Sequence, residues 1–511
     1  MANLRRSFAR SLASPARLST LLAVAVGTAV LVVAAAAVAR PGGGHSFSGG
    51  GSSGGGGGGD GGLGVLVELL IWLCIRHPAI GIPLTLVVVV FFIVKSALGS
   101  TLKDWSTTTA TAQAAVAQVP RVTRAATVPR SRLDQIRQLD PQFSVILFED
   151  FVYFLYTAVL RARASGFGPI AAYVAPDVAQ ALRDPNLVEV RGIVIGAVKI
   201  VGFSGVGQST ITVELELETN YAEAYPGGDE QRFYVVDRIR LQRSSQARSR
   251  PPARARTLDC PNCGAPLESV RGTQCTYCKQ EVGYGRFDWN VSAFRTQSKE
   301  LRGPLLTSNV EEVGTDFPTI VDPGAMVRFQ ALLQRDPAVT WDALSTRLTH
   351  VFGELQGAWS SRDPARIRPY VSDNLFQSLC YWLDLYRQQR CRNVNESTRI
   401  VRLELANVLT DATYDAVTLR VFATGLDYTI SDDGRLLSGS RTRLRTYSEY
   451  WTLIRATARK GSSRDDTTCP NCGAPLQVGM AGNCEHCQVK VTTGDFDWVL
   501  SRIEQDEVYT G

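Results

Sequence analysis

The sequence predicts an α+β protein, with two repeated units behind an apolar N-terminal region. Three observations predict it. Helical periodicity gives way to strand-like alternation twice along the chain. Each run of strands is followed by a pair of Cys-x-x-Cys motifs. Short residue groups also recur at offsets of about 200 residues: Asp140-Pro141 as Asp336-Pro337, Tyr173-Val174 as Tyr370-Val371, and Phe287-Asp288-Trp289 as Phe496-Asp497-Trp498. The chain has 511 residues, 45% hydrophobic and 20% charged, enough for roughly two to four folded units. A net charge of +6 is too mild to demand nucleic acid as a partner, and four histidines leave little room for histidine chemistry.

Residues 18–39 carry no charge and follow Arg5, Arg6, Arg10 and Arg17. At 1.5 Å per residue the run spans about 30 Å, the thickness of a bilayer's hydrocarbon core. Two readings fit residues 1–40: a first transmembrane helix, or a signal peptide cleaved at Ala37-Val38-Ala39. Residues 41–63 are Gly/Ser-rich and read as a flexible tether. Residues 64–98 read as an interfacial segment containing Glu68, then a crossing near 78–98 with Lys95 at its end. The arginine asymmetry places everything beyond Lys95 on the cytoplasmic side.

After a linker at 99–137, the first α+β unit is expected at 138–245. It has helices near 142–164 and 169–182 and strands near 187–203, 209–222 and 231–242. A ribbon at 257–290 and a linker at 291–335 follow. The second unit spans 336–460. In it Leu344, Leu348, Val351, Phe352, Leu355 and Trp359 recur at three- and four-residue spacing, which predicts a helix over 341–361. Asp363-Pro364 restarts a helix through 364–390. Strands are expected at 398–407, 413–425 and 440–458, with Asp-Asp-Gly at 432–434 as a hairpin turn. Helices followed by antiparallel strands indicate α+β rather than a doubly wound fold. A second ribbon closes the chain at 466–500.

Eight of the eleven cysteines are patterned. Cys260 and Cys263 precede Cys275 and Cys278, and Cys469 and Cys472 precede Cys484 and Cys487. Both sets begin C-P-N-C-G-A-P-L. Two hairpins that each present two thiolates complete a tetrahedral shell, so each set predicts one structural Zn2+ with no open coordination position. A redox pair normally occurs singly in a βαβ setting, and disulfides need an oxidising compartment. His486 lies inside the last motif and reads as solvent-facing. Cys74, Cys380 and Cys391 read as incidental thiols.

The second unit resembles the Tim44-like domain family. The resemblance is carried by Leu355-Gln-Gly-Ala-Trp359 with Arg362-Asp363, by Ile367-Arg-Pro-Tyr-Val371, by Tyr428 and the Gly439-Ser-Arg turn, and by Tyr447-x-x-Tyr-Trp451-x-x-x-Arg455. The first unit resembles it only loosely, with Ala158-Val-Leu-Arg-Ala-Arg in place of the A-W signature. The resemblance implies a nuclear-transport-factor-two-like (cystatin-like) cone: helices against a curved antiparallel sheet, enclosing an apolar pocket. It further implies a bacterial, membrane-anchored member with two appended zinc ribbons. Its soluble domains would face the cytoplasm at the inner membrane, with roles in protein transport or membrane-complex assembly.

No nucleophile elbow, phosphate loop, H-E-x-x-H or dinucleotide fingerprint occurs in a credible setting. Asp342 and His350 lie about two helical turns apart, roughly on one face without close contact, and His350 reads as a satisfied surface or core histidine. The expected function is therefore non-catalytic: a scaffold that holds a polypeptide or lipid-like ligand. Its pocket is expected between Leu355 and Trp359 on the helix and Tyr447 and Trp451 on the strand. A cone-fold hydrolase or isomerase, signalled by a buried Asp or His, is the alternative, and a zinc-ribbon nucleic-acid module is the second. Arg248, Arg250, Arg254 and Arg256 form a basic stretch suited to anionic lipid, and nucleic acid is not expected there.

Overall fold

The computed structural model describes residues 127–511, apart from 229, 256, 302–313 and 464–466. Ser144 opens helix α1 (Val145–Ser165) by accepting from the Leu147 amide, and Gly166 follows it at φ 96°. The expected helix over 169–182 is instead a 3-10 turn, Gly168–Ile170, and a short helix, α2 (Pro176–Leu182). The two are separated because Val174 bridges to Val291. Strands β1 (Glu189–Ser204), β2 (Thr210–Ala224) and β3 (Gln231–Ser244) form an antiparallel meander, and β4 (Asn290–Leu301) pairs with β3. β4 falls where a linker was expected. Its polar sequence hides a strand that backbone pairing to β3 defines.

The second half follows the same order. Helix α3 (Ala325–Arg335) falls at the end of the expected linker. Thr340 caps α4 (Trp341–Ser361) by accepting from the Ala343 amide, and Arg362 ends it at φ 56°. Asp363 caps the turn Pro364–Ile367, and Ser372 caps α5 (Asp373–Gln388). The single helix expected over 364–390 is broken because Val371 is extended and bridges to Leu500. Strands β5 (Cys391–Thr410), β6 (Tyr414–Ser431), β7 (Leu436–Ala456) and β8 (Val499–Gln505) form a sheet in that order. Gly439, expected in a turn, lies inside β7 opposite Tyr428 at φ 79°. A Cβ there would come within 2.3 Å of the Asp427 carbonyl oxygen, so only glycine fits without a shift.

Two expectations are corrected here. The cone enclosing a pocket is not formed: both four-stranded sheets are open, with no pairing of first strand to last. Closure needs the first and last strands of a sheet to pair, and in neither sheet do they do so. The membrane-anchored architecture is not supported either. Among the described residues no helix is long and apolar enough to cross a membrane. Even the apolar-rich α1 carries Glu149, Asp150, Arg161 and Arg163. The stretches 18–39 and 78–98 lie outside the described residues.

Helices cover one face of each sheet. In the second half Leu348, Val351, Phe352 and Leu355 of α4 pack on Leu419, Val421, Trp451 and Leu453. The two cores interlock, because Val194 and Tyr234 of the first sheet belong to the second core. Between the halves Arg130 bonds Glu149 at 2.6 Å and Glu504 at 2.8 Å, and Arg502 of β8 also pairs with Glu149. Burial would raise the Glu149 pKa, but Arg502 and Arg130 outweigh it and hold the carboxyl below its usual range.

Each half also buries a corresponding Asp–Arg pair. Asp140 accepts from Arg243 of β3 at 3.0 Å, and Asp336 accepts from Arg455 of β7 at 2.7 Å. Burial alone would raise the Asp336 pKa; the Arg455 hydrogen bond overrides this and lowers it. Its stabilising contribution is therefore complete above the ordinary carboxylate range, and is lost as pH falls through the lower folded value. Arg455→Ala leaves a buried carboxylate unpaired and should cost about 3–5 kcal/mol in urea unfolding. Arg366→Ala, which breaks the exposed pair with Glu354, should cost no more than about 1 kcal/mol.

Candidate metal centres

Each Cys-x-x-Cys segment folds as a tight knuckle. The Cys260 amide donates to the Ala265 carbonyl and the Gly264 amide returns to the Cys260 carbonyl; Cys469, Ala474 and Gly473 repeat this. Gly264 and Gly473 take φ 77° and 73°, the left-handed turn that the knuckle needs. In the second knuckle of each set Lys279 and Gln488 hold φ 60° and 61° without being glycine. There the Lys279 and Gln488 amides donate to the Cys275 and Cys484 carbonyls.

Paired knuckles bring four sulfurs together twice. In each set, Cys260, Cys263, Cys275, Cys278 and Cys469, Cys472, Cys484, Cys487, the Sγ atoms lie within 4.8 Å of one another. The measured pairs are Cys260–Cys278 and Cys263–Cys275 at 3.9 Å, and Cys469–Cys487 at 3.8 Å. Zinc–sulfur bonds of about 2.3 Å in a tetrahedron put neighbouring sulfurs about 3.8 Å apart. Both clusters are thus geometrically suited to a metal ion such as Zn2+. Four thiolates fill the shell, so the metal would cross-link the chain rather than activate a substrate. His486 is exposed and lies outside the cluster.

The surroundings tune the sulfurs unequally. Burial pushes the Cys260 thiol up to about 12, whereas the Asn262 and Asn471 side-chain amides bring Cys278 and Cys487 down to about 6. Each centre is inserted between the third and fourth strands of its sheet and ends on the repeated Phe-Asp-Trp. Trp289 lies under the Arg243 guanidinium at 4.9 Å, and Trp498 under Arg455 at 4.7 Å. The same arginines hold Asp140 and Asp336. Sequence reading found the aspartates and the tryptophans but missed Arg243 as their link; its one signal is that it stands at the end of β3 as Arg455 does at the end of β7.

The other expected site residues fall differently. Leu355, Trp359, Tyr447 and Trp451 do face one another across α4 and the second sheet, but all four are buried in the core. Phe352 fills the gap to Trp451 at 5.5 Å, and the Trp359 indole donates to Asn393 at 2.9 Å. Arg250, expected to meet lipid, pairs with Asp259 at 2.6 Å and Asp288 at 2.8 Å, holding the first ribbon. Arg254 approaches Asp259 at 3.4 Å, Arg248 bonds the Ala247 carbonyl, and Arg256 lies outside the described residues. His350 stacks edge-on against Tyr370 at 5.2 Å, and Asp342 is exposed. A crevice of about 50 Å³ between Arg130, Glu149, Asn374 and Arg502 admits a few waters rather than a chain-like ligand.

The fold and the sulfur clusters define an α+β protein carrying two closed metal centres. Residues 326–464 match the Tim44-like domain family, so a Tim44-like domain is present. The match spans roughly a quarter of the chain, from α3 through β7, and stops before the second cysteine cluster and β8. No curated protein matches the chain.

The purified chain should contain two zinc per molecule by elemental analysis. Cys472→Ser should lower this to about one. Zinc content should fall as pH is lowered, because protons compete for the thiolates.

Proposed function

We propose that the chain is a binding or scaffold protein that holds an extended apolar ligand, either a polypeptide or a lipid-like molecule. The observation that carries this reading is an apolar surface at the head of the Tim44-like region. Phe317, Ile320, Val321, Met326 and Val327 are all exposed, Val327 by 72%. The five lie within eleven residues of the chain, and exposed apolar residues that gather in a patch mark interaction sites. The filled core around Trp451 moves the expected contact from an interior pocket to this surface. Roles in protein transport or in assembly of a membrane complex suit such a binder. A reducing compartment belongs to the reading as well, supported by the eight thiolates that the two centres need.

The reading includes an internal duplication. Its support is the shared strand order, the cysteine cluster inserted at the same place in each sheet, and the matching sets Asp140–Arg243–Trp289 and Asp336–Arg455–Trp498. A duplicated binder can lose ligand contacts in one copy while keeping the metal-linked frame in both.

One observation favours the enzyme alternative. Asp237 faces the helix-covered side of the first sheet and is buried, accepting from Tyr156 and from Thr296 at 2.6 Å each. Burial pushes its pKa up. Its two hydroxyl partners and the ring of Phe294, stacked on Tyr156 at 6.0 Å, fill the space a substrate would need. Binding is therefore preferred.

A photoreactive residue at Val327 should crosslink to an apolar peptide or to lipid in vesicles, and Met326→Glu should reduce the yield at least several-fold. The arm that crosslinks identifies the ligand class. No adduct in either arm, together with small-substrate turnover that Asp237→Asn abolishes, would replace this reading with the enzyme one.

A further inference from the structure

The face of the second sheet turned away from α4 is only partly covered. Side chains alternate along a strand, so Leu419 and Val421 of β6 meet α4 while Arg420, Phe422 and Thr424 point to the other side. Residues 314–322, which form no helix or strand, lie across part of that side. Arg420 donates to the Gly314 carbonyl at 2.7 Å and to the Phe317 carbonyl at 2.6 Å. The Ile320 amide donates to the Tyr450 hydroxyl at 2.9 Å, and the Asp322 amide to the Ala406 carbonyl at 2.9 Å. The segment reads Gly-Thr-Asp-Phe-Pro-Thr-Ile-Val-Asp, largely apolar with two acidic residues and no basic one. The chain thus displays on its own sheet a segment of the kind that this face receives.

Further along the same strands the side chains on this face reach solvent. Arg402 and Arg399 of β5 stand opposite Phe422 and Thr424, and Leu444 of β7 stands opposite Leu426. Leu444 is 50% exposed, and Arg399 and Arg402 are exposed too. The Arg402 guanidinium lies 3.9 Å over the Phe422 ring, and that of Arg420 lies 4.6 Å from the same ring. Arg399 has no ion-pair partner among the described residues. The nearby carboxylates are engaged, Glu404 by Arg402 and Thr319, and Glu396 by the Tyr428 hydroxyl. Exposed arginines beside an exposed leucine match acidic and apolar groups presented together. Single-stranded nucleic acid fits less well, because it stacks on bare rings and Phe422 is already nearly buried beneath Arg402.

We propose that this remaining part of the face is a docking surface for a partner polypeptide, through a segment that is acidic and apolar as residues 314–322 are. Arg399 and Arg402 meet its carboxylates, and Leu444 meets its apolar side chains. The contact is separate from the exposed Met326 and Val327 of α3.

The full-length chain tests this, with a fluorescein-labelled peptide of residues 314–322 as the probe and anisotropy as the measurement. The peptide should bind, less tightly as salt rises, and its Asp316→Lys, Asp322→Lys version should not. Arg399→Glu in the chain should weaken binding roughly tenfold, because it sets like charges against each other. Arg399→Lys keeps the charge and should largely retain binding, and an unchanged thermal midpoint reports that both variants are folded. Met326→Glu, which tests the apolar contact on α3, should leave peptide binding unaltered, so the two readings fail separately. No binding of the acidic peptide, equal binding of the lysine version, or equal binding by Arg399→Glu would overturn the proposal. Loss of binding in Met326→Glu would overturn it too, by placing the peptide on α3. A single-stranded oligonucleotide that binds more tightly than the peptide, and through Arg399, would replace it with a nucleic-acid surface.

Discussion

Asp336 and Arg455 sit almost wholly out of contact with water, and the guanidinium that pairs with the carboxylate also covers the face of Trp498. Three remote parts of the second half meet at that point: the entry to α4, the end of β7 and the exit of the ribbon. The Gly461 amide adds a further donor to Asp336 at 3.0 Å, so the carboxylate is well satisfied. Asp140, Arg243 and Trp289 do the same in the first half, with Ser249 as the added donor at 2.7 Å. A charge pair taken from water stabilises little by itself, but losing either partner is severe. Its effect is therefore to exclude other arrangements of helix, sheet and ribbon.

The ribbons extend this constraint outward. Arg368 is buried beneath the second ribbon, bonding the Met480 carbonyl at 2.8 Å and Asp373 at the start of α5. Lys490 reaches the same aspartate from the ribbon at 2.5 Å. The first ribbon is held instead by Arg250 on Asp259 and Asp288, and by the Tyr173 hydroxyl on the Asp259 carbonyl. The same metal geometry is thus attached to its sheet by different ion pairs. The segment carrying Phe317 and Ile320 crosses the second sheet: the Phe317 carbonyl accepts from Arg420 of β6 at 2.6 Å and the Ile320 amide donates to the Tyr450 hydroxyl of β7 at 2.9 Å, while Asp322 and Arg328 tie its end to β5.

Much of this was legible in the sequence because it depends on local rules. Asp363-Pro364 announces a helix start, the spacing of Leu344 to Trp359 traces a buried face, and paired Cys-x-x-Cys motifs specify a tetrahedral ion. The rest depends on partners distant along the chain. β4 and β8 are strands because β3 and β7 offer them a free edge, and Val371 leaves the helix because Leu500 is beside it. The aromatic pattern at Trp359 and Trp451 is equally consistent with a pocket and a core. Only the neighbours that fill the space, Phe352 and Tyr386, decide for the core.

The placement of the cysteine clusters between third and fourth strands bears on the order in which the sheets form. About 45 residues separate β3 from β4, and a gap of similar length separates β7 from β8; closing loops of that size is entropically costly and slow. A metal that ties residue 260 to 278, or 469 to 487, shortens the effective loop before the last strand arrives. The last strand of the second sheet also carries Arg502 and Glu504, which lock onto Arg130 and Glu149. The ion pairs that join the two halves cannot close until that strand is in place, and a filled metal centre would shorten the loop that delivers it.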